Sequence, residues 1–218
     1  MVKYSYDAFW KAFIFSTIIF IFGLNMGSFI ENSTLDKLEK NVINSEVELY
    51  DSNIRSNVLE YYNISCEKAI ENTFEIADKI YEEVKMLEDL DKSSTIVEGF
   101  DEVHKRYDLL RTQLWLDATN LKNTCQDNFN LIVYIYEYNS KKPQVISIQN
   151  LYESITSEIK LDYDSEVLLI PIANNMELNS LELLLENYDI VNQTSIIINN
   201  KYIIQGASNY EEIASYLN

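Results

Sequence analysis

The chain has 218 residues, 47% of them apolar, with four glycines, two prolines and a formal charge of −18. That apolar content supports packed domains and excludes wholesale disorder. The acidic excess, present in both 31–125 and 126–218, repels phosphate backbones and excludes nucleic acid as a partner. An acidic surface also suits a cationic partner or bound cations, against the plainer reading of a solvated face in salty surroundings.

The first distinctive segment is Ala12–Ile30 (AFIFSTIIFIFGLNMGSFI), which carries no ionisable side chain. Its roughly 19 residues would rise nearly across a bilayer core of about 30 Å, so a transmembrane helix touching the lipid bilayer through 12–30 is expected. Lys3 and Lys11 precede it and Glu31 and Asp36 follow it. The positive-inside rule then leaves 1–11 as a cytoplasmic tail and puts the rest in the extracytoplasmic space of a single-pass protein of the cell membrane. The alternative is a cleaved signal peptide, since Phe13–Phe22 has the length of an h-region, although Asn25 and Met26 fit a cleavage site poorly and Asp7 sits in the n-region. Gly23 and Gly27 form a GxxxG pair that would let two such helices pack as a homodimer, although glycine is common in membrane helices anyway.

Residues 31–126 read as helical and coiled-coil-like. From Ser33 to about Tyr62 the apolar residues Leu35, Leu38, Val42, Val47, Tyr50, Ile54, Val58 and Tyr61 recur mostly at threes and fours, with Asn32 or Ser33 as the cap. A second stripe runs from Cys66 through Ile70, Ile76, Ile80 and Val84 to Leu87 and ends at a turn, Asp91-Lys92-Ser93-Ser94. A third runs from Val97 through Val103, Tyr107, Leu110, Leu114 and Ala118 to Cys125. Helices two and three, joined by a short turn, must lie antiparallel, which brings Cys66 and Cys125 to the open end of the hairpin. An even pair in an exported segment predicts a disulfide there; two buried thiols are the alternative. Neither cysteine belongs to a CxxC.

After Gln126 the period changes. Asn130–Tyr138 and Glu166–Ala173 read as buried strands, Gln149–Lys160 and Leu178–Tyr188 as amphipathic helices. Thr194–Asn199 and Tyr202–Gln205 read as a hairpin about Asn199-Asn200-Lys201, and Asn209–Leu217 as a closing helix. The succession is β-α-β-α-β-β-α.

That succession, with the phrases VLLIPIA and TSIIINNKYIIQG, resembles the thioredoxin fold over 127–218. The resemblance implies one sheet whose first three strands run parallel or nearly so, with the hairpin at an edge. The redox CxxC of that family would follow the first strand, where this chain reads Tyr138-Asn139-Ser140-Lys141-Lys142-Pro143. The cis-proline would precede the third strand, where it reads Gln193-Thr194-Ser195. With both features missing, the domain is a degenerate one, and thiol oxidoreductase activity is not carried over. The whole order of parts also resembles single-pass membrane proteins from small-genome archaea, which brings no activity with it. The expected fold class is α+β: a transmembrane helix, a helical stalk with an antiparallel hairpin, and a thioredoxin-like domain.

Other chemistry is thin. His104, the one histidine, reads as a surface or boundary residue of the third helix. Asp162, Asp164 and Glu166 alternate as a cation site might, but without the glycine and later acid of a calcium loop they read as a solvated turn. No metal or other cofactor is expected. Asn32, Asn63 and Asn192 open N-glycosylation sequons. The function expected is that of a non-catalytic interaction or scaffold protein. It would hold a protein or peptide partner at Asn139, Ser140, Lys141, Lys142, Pro143, Gln193, Thr194 and Ser195. The alternatives are an envelope thiol protein using Cys66 and Cys125 as a reversible switch, and a stalk whose first helix pairs between subunits.

Overall fold

A computed structural model describes residues 6–62, 65–93, 100–125, 129–190 and 193–217. Two compact units emerge, Met1–Asn44 and Ser45–Asn218, and each is taken by itself. Helix α1 (Tyr6–Tyr61) supplies all of the described first unit. Its side chains from Phe9 to Leu24 are exposed on every side, and nothing lies within 4 Å of a Cβ placed on Gly23. The surroundings of Gly27 and Asn32 lie outside the described residues.

The expected transmembrane helix is corrected here: no helix among the described residues is long and apolar enough to cross a membrane. Nor does a second helix begin at Asn32 or Ser33. After Gly27 there is neither glycine nor proline before the end of α1, so nothing interrupts its hydrogen-bond ladder.

The second unit begins with the last turns of α1, followed by α2 (Cys66–Ser93) and α3 (Phe100–Cys125). Cys66 and Cys125 form the predicted disulfide, with Cα atoms 5.6 Å apart. This joins the start of α2 to the end of α3, and Tyr107 Oη donates to Glu83 Oε2 at 3.0 Å further along. The two helices therefore form the expected antiparallel hairpin. α3 is buried around most of its circumference, including Val103, Tyr107, Leu110, Leu114, Trp115 and Ala118. His104 is only 2% exposed and lies ring to ring with Tyr138 at 4.1 Å, which corrects the surface reading of that residue.

The end of α1 meets α3 through polar atoms. Ser52 Oγ donates to Asp117 Oδ2 at 2.9 Å, and Arg55 Nη2 reaches the same oxygen at 3.2 Å. The apolar stripe points elsewhere: Val47, Tyr50, Ile54 and Tyr61 are 60–76% exposed.

The sheet holds β1 (Asn130–Tyr136), β2 (Val167–Ala173), β3 (Ser195–Ile198) and β4 (Tyr202–Gln205), in the order β2-β1-β3-β4. β1 and β2 are parallel, connected by α4 (Pro143–Tyr163) and a 3₁₀ turn, Asp164–Glu166. β3 is antiparallel to β1, so the expectation of three parallel strands fails. The reason is the connection. α5 (Asn179–Glu186) rises only about 12 Å, roughly half the length of a seven-residue strand, and the chain re-enters the sheet at the end where β2 left it. β4 is an edge strand, as the hairpin reading required. The hairpin turns at Asn199 and Asn200, whose φ values of 51° and 56° are both positive, and Lys201 N–H closes it on the Ile198 carbonyl at 3.0 Å. A final helix, α6 (Tyr210–Ala214), is capped by Asn209, which accepts from Glu212 N–H.

Period-2 alternation sorts the strand residues onto two faces. Ile132 and Tyr134 pack with Val167, Ile196 and Ile198 against Tyr152, Ile155 and Ile159 of α4. The alternate residues Leu131, Val133, Ile135, Leu168, Ile170 and Ile172 are buried on the other face. There Ala173 N–H donates to Asp108 of α3.

Candidate functional site

The β1–β3 register decides where the expected contact segments lie. Ile135 pairs with Ser195, so the chain leaving β1 toward Asn139 and the chain entering β3 from Gln193 meet at one end of the sheet. The turn after β2 joins them there. Asn174 N–H donates to the Tyr136 carbonyl at 2.8 Å and Asn174 Nδ2 to the Gln193 carbonyl at 3.4 Å. Asn175 holds Tyr138 through both its N–H, at 2.8 Å, and its carbonyl, at 2.9 Å.

Within the first segment Asn139 has φ 51°, a left-handed conformation that asparagine tolerates better than most residues. Ser140 Oγ accepts from Lys142 N–H at 3.3 Å. Lys142 is the N-cap of α4 and Pro143 its first residue, where the missing N–H of proline costs nothing. Asn139, Lys141, Lys142 and Pro143 are exposed and Ser140 half-buried. The second segment differs. Gln193 is exposed and Thr194 half-buried, but Ser195 is wholly buried as the first residue of β3, which removes it from any contact surface. The Thr194–Ser195 peptide is trans. Asn63 and Asn192 lie outside the described residues.

Beside the first segment opens a cavity of about 530 Å³ between α2, α4 and the last residues of β1 and β2. Asn139 and Ser140 line it; Gln193 and Thr194 do not. Its walls carry the tyrosines Tyr81, Tyr134, Tyr136 and Tyr138, and Arg111 lies in its lining. The Arg111 side chain is 6% exposed, reaches Asp108 Oδ1 at 3.3 Å and hydrogen-bonds Tyr136. Burial pulls its pKa down, but Tyr136 and Asp108 more than compensate and hold it above its usual value. Asp108 is caught the other way. Burial pushes its carboxyl up to about 6, against the lowering influence of Arg111 and of the Ala173 N–H. Its second oxygen, Oδ2, has no hydrogen-bond partner. Tyr134 is raised by burial and then by the nearby Glu153 charge.

Neither sulfur comes near this end of the sheet in sequence. Cys125 precedes the first residue of β1, while Asn139 follows its last, and both cysteines are consumed by the one disulfide. The acidic alternation is spread out: Asp162 accepts from Tyr210 Oη at 2.6 Å, while Asp164 and Glu166 belong to the 3₁₀ turn. Among the described residues no cluster of three His, Cys, Asp or Glu side chains could hold a metal.

Sequence reading missed the Asp108–Arg111 pair and the tyrosine-walled cavity. A signal was available for the pair, since Asp108 and Arg111 each adjoin a stripe residue of α3, Tyr107 and Leu110, and stand three apart, one helical turn. The cavity had none, because its walls are gathered from separate elements along the chain, from Tyr81 of α2 to Pro171 of β2. No family model, curated protein or solved structure matches the chain.

Proposed function

We propose that the protein is a non-catalytic interaction protein of an oxidising, extracytoplasmic compartment, whose degenerate thioredoxin-like domain holds a protein or peptide partner at the Asn139–Pro143 end of the sheet. The observation that carries this reading is the convergence of an exposed, sulfur-free segment, Asn139–Pro143, with an open tyrosine-lined cavity at one sheet end. Family chemistry at that position needs a thiolate to attack a disulfide, and no sulfur is available there. The contact surface comprises Asn139, Ser140, Lys141, Lys142, Pro143 and Gln193, with Thr194 at its margin. Affinity purification of the tagged chain from its native cells, with 139–143 replaced by a Gly/Ser segment, should lose the partner. An unchanged partner list overturns the site.

A second, compatible reading has α1 pairing between two copies, and the exposed stripe of Val47, Tyr50, Ile54 and Tyr61 favours it. Residues repeating at threes and fours on an uncovered helix face are what a coiled-coil partner buries. A monomeric molar mass by light scattering across a concentration series, with no dimer on cross-linking, removes that reading.

A further inference from the structure

We infer that the cavity beside Asn139 receives a cationic side chain, lysine or arginine, from the bound peptide; the inference rests on the interaction reading above and names what the site selects.

The inventory of donors and acceptors leads there. The strongest donor in the lining, Arg111, is already engaged by Asp108 and Tyr136. Tyr134 Oη donates to the Gln149 carbonyl at 3.2 Å. What is left over is acceptor capacity. Gln149 Nε2 donates to the Glu137 carbonyl at 3.1 Å, but its Oε1 is buried with no partner. A buried acceptor without a donor costs free energy until something supplies one. Glu153, in the same lining and close enough for its charge to act on the Tyr134 phenol, forms no ion pair among the described residues.

The walls point the same way. Tyrosine rings present electron-rich faces that attract ammonium and guanidinium groups, and four of them border one space. At the rim Glu137 is partnered by Lys142 at 3.2 Å, leaving Lys85 as the one lining cation with no named partner among the described residues. Lys85 is exposed, so its charge is screened by solvent, whereas the formal charge of −18 over the chain draws cations in. An anionic ligand would meet Glu153, the orphan Gln149 oxygen and an already neutralised arginine.

The test uses the full chain and a set of acetylated, amidated pentapeptides, Gly-Gly-X-Gly-Gly, with X as lysine, arginine, norleucine or glutamate. Binding is read from amide chemical-shift changes up to about 5 mM peptide, a range suited to a single side-chain contact. The lysine and arginine peptides should shift the amides of Gln149, Glu153 and Tyr136, and norleucine and glutamate should bind at least about fivefold more weakly. Glu153→Gln and Tyr81→Ala, both at exposed positions that leave the fold intact, should each weaken the lysine peptide about three- to tenfold, and Lys85→Glu should tighten it. Tighter binding of the glutamate peptide, equal binding of all four, or no binding at 5 mM overturns the inference. The partner-loss experiment with the 139–143 replacement separates the two failures. If partner capture depends on that segment while the cationic peptides do not bind, only the selectivity is wrong; if capture ignores it, the interaction site itself is wrong.

Discussion

Asp108 is the residue at which the balance of terms is most exposed. Its pKa stands at about 6 in the folded chain against 3.8 for a free carboxyl, so between roughly pH 4 and 6 the folded state binds more protons than the unfolded one. The contribution of this group to stability is therefore full at the acidic end of that window and falls as pH rises through it, by on the order of 2–3 kcal/mol. Asp108→Asn abolishes that slope. It keeps the Oδ1 acceptor for Arg111 and the Ala173 N–H and removes a charge that burial disfavours, so the variant should be at least as stable as the wild type at pH 7. Urea titrations of both proteins should show the balance of stability moving toward the wild type as pH drops from 6 to 4; a constant difference would mean that the buried carboxylate titrates normally. Asn199 and Asn200 are the contrasting case of residues legible from the sequence. Their pairing predicted a hairpin because asparagine accepts positive φ, and both adopt it. Their side chains do something no local rule shows: Asn200 Oδ1 accepts from Trp115 Nε1 at 2.8 Å and Asn199 Oδ1 from Leu131 N–H at 2.9 Å, locking the turn to α3 and to the start of β1.

At the scale of elements, helical periodicity read 33–62 as a helix with an apolar stripe, without telling which face of α1 packs within the molecule. The apolar stripe is uncovered, and the opposite side meets α3 through Ser52 and Arg55. Ile54→Ala should accordingly change unfolding free energy by less than about 0.5 kcal/mol in monomeric protein, whereas Ser52→Ala should cost about 1–2 kcal/mol by removing a donor from Asp117, whose side chain is 2% exposed. Chemical denaturation of the two variants at low protein concentration checks both; the reverse order would show the stripe to be the packed face. Strands were easier to read. A seven-residue apolar run has few options besides a doubly covered strand, and Pro171 in β2 is tolerated because β2 is an edge strand with one row of hydrogen-bonding groups unpaired. The direction of β3 was not readable. It depends on whether the preceding helix is long enough to carry the chain back across the sheet, and α5 is too short.

For the whole molecule the Cys66–Cys125 bond is the principal covalent constraint, spanning 59 residues of sequence. Chain-entropy reasoning puts its stabilisation near 4 kcal/mol at most, through restriction of the unfolded state. Cys66→Ser should lower the thermal midpoint by about 5–10 °C, and reduction of the wild type should produce the same shift. A midpoint unaltered by either would show that the hairpin holds itself together without the bond. The reversible-switch alternative predicts in addition a reduction potential well above the roughly −300 mV typical of structural disulfides, which equilibration in glutathione or dithiothreitol buffers measures directly.

The sequence by itself determined the succession of elements from α2 onward, the disulfide and the tight hairpin, because each depends on local period, turn chemistry or the pairing of the only two cysteines. It also shows that no cysteine follows β1, since the two cysteines of the chain are Cys66 and Cys125. Only the tertiary structure decided that β3 runs antiparallel, that the apolar stripe of α1 faces away from α3, and that His104 and Asp108 are buried. It alone assembled a tyrosine-walled cavity from α2, α3, α4 and two strands. Those outcomes depend on distances between segments far apart in the chain, and on which of two competing faces finds a partner. Local propensity carries no information about either.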